Sequence, residues 1–210
     1  MIEKYVISLK KRPDRLEKFK KNCPLKNVKT FNAINGKLLG NELDSIYINN
    51  INKGEKGCFL SHINLWKKQV KEGIEYFVIF EDDAIFCENF SEKFNMILNN
   101  LKNSITYIGG RFIPDFKMKT ENCCKINNFL VKEELKGKKY DGWDCDRTTQ
   151  AYIIHKDCAK LLLDSISIRK FCKRPVDHYM LQVLRFYKKD IFSSYPLLCY
   201  SPRNGDSDIR

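Results

Sequence analysis

The chain contains no G-x-G-x-x-G and no G-x-x-x-x-G-K, so it carries neither a dinucleotide fingerprint nor a phosphate-cradling P-loop. None of its nine cysteines stands at C-x-x-C spacing, and nine is an odd number. That pattern gives no support to a zinc knuckle or a fully paired disulfide framework, and it favours reduced thiols in a reducing compartment. No apolar run approaches transmembrane length, and the opening Met1-Ile2-Glu3-Lys4-Tyr5 lacks a signal-peptide hydrophobic region. The expectation is a cytoplasmic protein with at most peripheral membrane contact. Internal repeats, low-complexity segments and long blocks of one charge are missing as well. The net charge of +12 favours anionic partners, but the 38 Lys and Arg are scattered through every segment. Basicity alone is therefore a weak argument for nucleic-acid binding.

At 210 residues the chain suits one domain, 1–210, and its 43% hydrophobic content argues against wholesale disorder. Tyr5 to Leu9 reads as a buried strand. Pro13 fits the first turn of a helix that carries Leu16, Phe19 and Cys23 at helical spacing. Val28 to Ala33 predicts a second strand, closed by a turn at Asn35-Gly36. The polar, glycine-bearing stretch 37–56 predicts a long active-site loop with one short helix at most. Phe59, Ile63, Trp66 and Val70 share one face of a helix over Gly57–Lys71. A strand at Tyr76–Phe80, a helix at Ser91–Leu101 and a strand at Ile105–Ile108 follow. Residues 111–147 lose the pattern and read as an excursion over one end of the sheet, with a hairpin around Asn127-Asn128. Regularity returns with a strand at Thr149–Ile154 and a helix at Cys158–Asp164 capped by Asp157. A helix at Pro175–Phe186 and a strand at Ile191–Ser194 close the pattern. Alternation of this kind predicts an α/β sandwich, its central sheet mostly parallel and its helices on both faces.

The stretch richest in chemistry is Tyr76-Phe77-Val78-Ile79-Phe80-Glu81-Asp82-Asp83, an apolar run that ends in three acids. Such a run reads as a buried strand of a parallel sheet, and ligands gather beyond the carboxyl ends of those strands. Three adjacent carboxylates repel one another, and a hard, oxygen-seeking cation such as Mg²⁺ or Mn²⁺ would relieve the repulsion. On extended chain Glu81 and Asp83 point to one side and Asp82 to the other, which makes Glu81 and Asp83 the metal and ribose candidates. A solvated acidic turn is the plain alternative.

Arg12 and Arg15 follow the first strand at the same edge, where guanidinium forks suit phosphate oxygens; an ordinary basic helix start would look the same. Ser61 and His62 can point from their helix toward the site, but helix neighbours do not face each other, so they form no nucleophilic pair. His62 is either a structural histidine or a ligand contact. Asp177 is either an acid favoured by the helix dipole or a general base for an attacking hydroxyl, and His178 is a second base or metal candidate. These residues suit a metal-dependent enzyme acting on a phosphate-bearing substrate. Two alternatives stay open: a metal-dependent nucleotidyltransferase or phosphohydrolase, and a basic nucleic-acid-binding module independent of the acids.

Taken together, several segments resemble glycosyltransferase family 25, which includes bacterial lipopolysaccharide glycosyltransferases and procollagen galactosyltransferases. They are Tyr5–Leu9 with Arg12, Asp14 and Arg15; Phe31-Asn32-Ala33-Ile34-Asn35-Gly36; and Gly54-Glu55-Lys56-Gly57-Cys58 with Ser61, His62 and Trp66. Phe80–Ala84, Gln150–Ile153, Pro175–His178 and Ser207-Asp208-Ile209 complete the set. The resemblance implies a GT-A fold, a UDP-sugar donor, a divalent cation (usually Mn²⁺, otherwise Mg²⁺), inversion at the anomeric carbon and a galactose or glucose cargo. It also implies a glycan or protein hydroxyl as acceptor, and no nucleic acid. On the same grounds Asp83 is the main metal ligand, Glu81 serves metal or ribose, and Asp208 or His178 supplies a third ligand. Arg12, Arg15, Ser61, His62, Asp82 and Gln150 border the donor, and Asp177 is the catalytic base. The 111–147 excursion matches no motif and is expected on the acceptor side.

Overall fold

Alternate side chains of Tyr76–Glu81 enter two different hydrophobic cores, Phe77 and Ile79 one, Tyr76, Val78 and Phe80 the other. A strand buried on both faces must lie between two layers, and the rest of the chain supplies them. The computed structural model describes residues 1–39, 51–111, 123–128, 130–133, 148–167 and 174–201.

The strands are β1 (Ile2–Ser8), β2 (Val28–Asn32), β3 (Tyr76–Glu81), β4 (Ile85–Phe86), β5 (Ile105–Tyr107) and β6 (Gly109–Arg111). They continue with β7 (Cys123–Lys125), β8 (Leu130–Glu133), β9 (Ala151–His155), β10 (Ile191–Ser194) and β11 (Cys199–Ser201). The helices are α1 (Pro13–Asn22), α2 (Lys53–Glu72), α3 (Phe90–Leu98), α4 (Lys156–Ser165) and α5 (Val176–Phe186), with one 3₁₀ turn at Gly36–Leu38. Among the described residues no helix is long and apolar enough to cross a membrane.

The main sheet has eight strands in the order β2-β1-β3-β9-β5-β10-β8-β7. β1 is parallel to β2 and β3, and β10 is parallel to β5, whereas β9 runs against both β3 and β5. Helices α2, α4 and α5 cover one face through Phe59, Trp66, Leu162 and Tyr179. Helices α1 and α3 cover the other through Phe19, Phe90, Phe94 and Ile97. The α/β expectation therefore holds, with β9 and β8 as the strands that run against the rest.

The antiparallel β9 matters for the site. Phe80 near the end of β3 pairs with Ala151 at the start of β9, so the residues just before β9 lie beside the acids. Beyond Tyr107 the chain leaves the main sheet. Ile108 bonds to Ala151, and the chain continues as β6 in a three-stranded sheet of order β4-β11-β6, which the sequence reading missed.

Several boundaries differ from the sequence reading. Helix α2 begins at Lys53 rather than Gly57, because Asn52 and Glu55 close a reciprocal capping box. Four residues assigned to a loop are thus the first helical turn. Helix α4 begins at Lys156 and is capped by His155, whose Nδ1 accepts from the Asp157 N–H at 3.2 Å; Asp157 itself lies in the first turn. Helix α3 runs Phe90–Leu98, shorter at its end than expected. The Asn127-Asn128 hairpin is present, joining β7 to β8. Its β8 strand is tied to α5 by the Arg185 Nε to Glu133 Oε1 bond of 2.8 Å. The remainder of 112–147 lies outside the described residues.

Candidate active site

The carboxyl ends of β1 and β3, the segment after β2 and the first turns of α2 surround one pocket. It is lined by Ser8, Arg15, Asn35, Gly36, Gly54, Cys58, Ser61, His62, Glu81, Asp82 and Asp83, among others. Two glycines set the approach of the segment after β2 to α2 beside it. A Cβ at Gly36 would lie 1.6 Å from the Lys53 carbonyl oxygen, and one at Gly57 would lie 2.5 Å from the Ile34 carbonyl oxygen. Only glycine at both positions lets the segment after β2 lie directly on α2. Ser61 joins the two, its Oγ accepting from Ile34 N at 2.8 Å and donating to Gly57 O at 2.7 Å.

The strand does not continue past Glu81. Ala84 N–H bonds to Glu81 O at 3.2 Å and closes a turn, so the alternation expected for the three acids breaks down. Asp82 and Asp83 instead share one cation: Arg15 Nη2 lies 2.5 Å from Asp82 Oδ1 and 3.2 Å from Asp83 Oδ2. Ser8 Oγ donates to Asp82 Oδ2 at 2.7 Å. Glu81 Oε1 accepts from Thr149 Oγ1 at 2.5 Å and faces His62 Nε2 at 3.6 Å. The Glu81 N–H donates to the Gln150 carbonyl at 2.9 Å, and the Gln150 side chain lowers the pKa of Asp83.

The acids differ in their electrostatics. Burial raises Asp83 first, and the charge of Glu81 adds to it; Arg15 opposes both, and the pKa settles at about 6. Asp82 is raised by burial more than Ser8 and Arg15 lower it. Burial pushes Glu81 up too, but the facing His62, the Thr149 hydroxyl and Arg15 outweigh it, and its pKa is lowered. Burial drives the Cys58 thiol well above its ordinary range, and the charges of Glu81, Asp177 and Asp83 add to that. Asp83 Oδ1 is buried and makes no hydrogen bond among the described residues. A buried carboxylate oxygen without a donor, in a group whose pKa is raised to about 6 by burial and then by its anionic neighbours, fits a cation better than it fits water-free protein.

Glu81, Asp82, Asp83, Arg15, Ser61 and His62 all line the one pocket. Gln150 joins them through its backbone carbonyl, which accepts from the Glu81 N–H. Arg12 sits at the N-terminus of α1 with its guanidinium forked onto Asp14, at 3.0 and 2.9 Å, and is not among the lining residues. Asp177 lies in the first turn of α5, where its Oδ1 accepts from the His178 N–H at 2.8 Å. Tyr179 packs its ring 4.9 Å from Phe59 of α2, and the Asp177 charge reaches Cys58 together with those of the strand-end acids. Asp208 lies outside the described residues. Ser8 and Thr149 were not foreseen. Ser8 is the last residue of β1 and Thr149 lies in the turn just before β9, and a small hydroxyl residue in such a place is too common to single out in sequence.

An α/β sandwich whose acid-lined pocket lies beyond the carboxyl ends of β1 and β3 has that pocket where open α/β folds bind their ligands. The sequence profile of Glycosyltransferase family 25 (LPS biosynthesis protein) matches residues 1–180, and the chain belongs to that family. It is 26% identical to a Bos taurus protein named "Probable inactive glycosyltransferase 25 family member 3", covering 98% of this chain and 38% of that protein. It is 27% identical to the Xenopus laevis "Procollagen galactosyltransferase 1-A", covering 96% of this chain and 33% of the relative. The chain thus spans well under half the length of these relatives. Among solved structures, a glycosyltransferase involved in the glycosylation of the major capsid of PBCV-1 superposes with a TM-score of 0.42 at 11% identity, covering 89% of this chain and 75% of that one.

Proposed function

We propose that this chain is a metal-dependent, inverting glycosyltransferase that moves galactose or glucose from a UDP-sugar to a hydroxyl of a glycan or protein. The observation that carries the reading is the convergence of Glu81, Asp82 and Asp83 on one pocket, with Asp83 Oδ1 buried and without a donor. Asp83 and Glu81 would hold Mn²⁺ or Mg²⁺, with His178 or Asp208 as a further ligand. When bound, the cation offsets charge on the departing diphosphate, an effect worth several kcal/mol of barrier. Arg15 is positioned to release Asp82 and Asp83 and turn toward phosphate oxygens, and Arg12 stands at the same helix start. His62, Ser61 and Gln150 shape the donor side. Asp177 would accept the proton of the attacking hydroxyl. The galactosyltransferase name of the Xenopus laevis relative supports galactose as cargo, and the label of the Bos taurus relative makes a binding-only protein the outcome to test against.

The test is a thermal-shift panel of UDP-, GDP- and CMP-sugars with and without Mn²⁺, followed by donor turnover. UDP-galactose or UDP-glucose with Mn²⁺ should raise the melting temperature, and Asp83→Ala should abolish the rise. An equal response in both proteins removes the metal assignment. Asp177→Asn should keep the shift and lose transfer; unchanged turnover removes Asp177 as base. A shift without turnover in the wild-type chain identifies an inactive family member.

A further inference from the structure

Behind Glu81 lies a row of buried polar groups that begins at the pocket-lining His62. Trp66 and His62 on α2 and Tyr152 on β9 are each fully buried. Trp66 Nε1 donates to Tyr152 Oη at 3.0 Å, Tyr152 Oη lies 2.7 Å from His62 Nδ1, and His62 Nε2 faces Glu81 Oε1 at 3.6 Å.

The protons along this row can be placed. An indole N–H only donates, so the phenol oxygen is the acceptor toward Trp66. A phenol carries one proton, and among the described residues His62 Nδ1 is the acceptor within its reach. A buried hydroxyl proton without an acceptor is costly, so Tyr152 donates to Nδ1. Nδ1 then accepts through its lone pair, and the ring proton sits on Nε2. Nε2 makes no hydrogen bond among the described residues, and the carboxylate it faces is an acceptor. A bare lone pair there would meet another lone pair.

We infer that Trp66 and Tyr152 are positioning residues for the donor site. They hold His62 as its Nε2–H tautomer, so that His62 and Thr149 both present protons to Glu81 Oε1 and leave Oε2 for the ligand. This last step rests on the donor-site reading above; the tautomer does not. The competing arrangement is a second metal centre. Cys58, His62 and Glu81 each place one ligand atom within 4.8 Å of the others, a set that suits zinc. Such a centre requires the Nε2 lone pair, where the tautomer puts a proton.

The full chain labelled with ¹⁵N-histidine decides between them, because it has three histidines and His62→Gln identifies the missing signal. At neutral pH the His62 ring should show a pyrrole-like Nε2 and a pyridine-like Nδ1, and Tyr152→Phe should shift it toward a mixture. The opposite assignment, or protons on both nitrogens, overturns the inference. So does a metal-bound Nε2 signal on adding Zn²⁺, with stabilisation that Cys58→Ser removes. The second arm compares His62→Gln, whose amide N–H replaces Nε2–H, with His62→Asn, whose shorter amide cannot reach Glu81. With UDP-sugar present, Mn²⁺ affinity should fall about 10-fold or more in His62→Asn and be largely kept in His62→Gln. Equal losses overturn the positioning role. A wild-type chain that ignores Mn²⁺ defeats the donor-site reading, while the nitrogen signals still decide the tautomer.

Discussion

Asp83 is half-buried among Glu81, Asp82 and Arg15, and its pKa rises from 3.8 to about 6. An acid whose folded pKa exceeds its unfolded value binds its proton more tightly when folded, so this group lowers stability as pH rises. The penalty is absent below about pH 4 and complete above about pH 6. Without added metal or donor, Asp83→Asn should therefore melt higher than wild type above about pH 6. Below about pH 4 that advantage should disappear. A variant that melts lower across the whole range would mean that Arg15 outweighs burial and repulsion. At this scale the sequence was informative: three acids closing an apolar run marked the strand end that lines the pocket. What it did not contain was the turn at Ala84, which places Asp82 and Asp83 on one arginine.

Helix α2 is the element that joins the site to the rest of the fold. Its start is set by the Asn52–Glu55 capping box, its end by Gly73 in the left-handed region at φ 68°. Between them Gly57 lies against Gly36 and Ile34 so closely that a methyl group would sit 2.5 Å from backbone atoms. Gly57→Ala should cost about 1–3 kcal/mol of unfolding free energy in urea, because backbone on both sides must move. A change within about 0.5 kcal/mol would show that the segment and helix are not in register as described. The periodicity of Phe59, Ile63 and Trp66 made this helix legible. Its first turn was not, because polar residues rich in glycine and asparagine read as loop until the reciprocal cap is seen in three dimensions.

The whole molecule is a sheet between two cores, and β3 contributes to both. Phe77 meets Tyr5 at a ring separation of 4.8 Å on one face; Phe80 meets Phe19 at 5.7 Å and Phe86 at 5.8 Å on the other. Each phenylalanine truncated to alanine should cost about 3–5 kcal/mol. The side chains belong to different cores and lie about 10 Å apart along the strand, so the double variant should equal the sum within about 0.5 kcal/mol. A clear departure from additivity in chemical denaturation would mean that the two cores yield as one.

The sequence by itself determined the α/β class, the central apolar strand, most helices and the acids at the strand end, because periodicity and burial are local consequences of side-chain pattern. Tertiary structure alone decided that β9 runs antiparallel beside β3 and so delivers Thr149 and Gln150 to Glu81. It alone brought Arg15 across Asp82 and Asp83, and set Trp66 and Tyr152 behind His62. Strand direction and long-range hydrogen bonds depend on which segments meet, and residues 74 to 90 positions apart meet only once the sheet has formed.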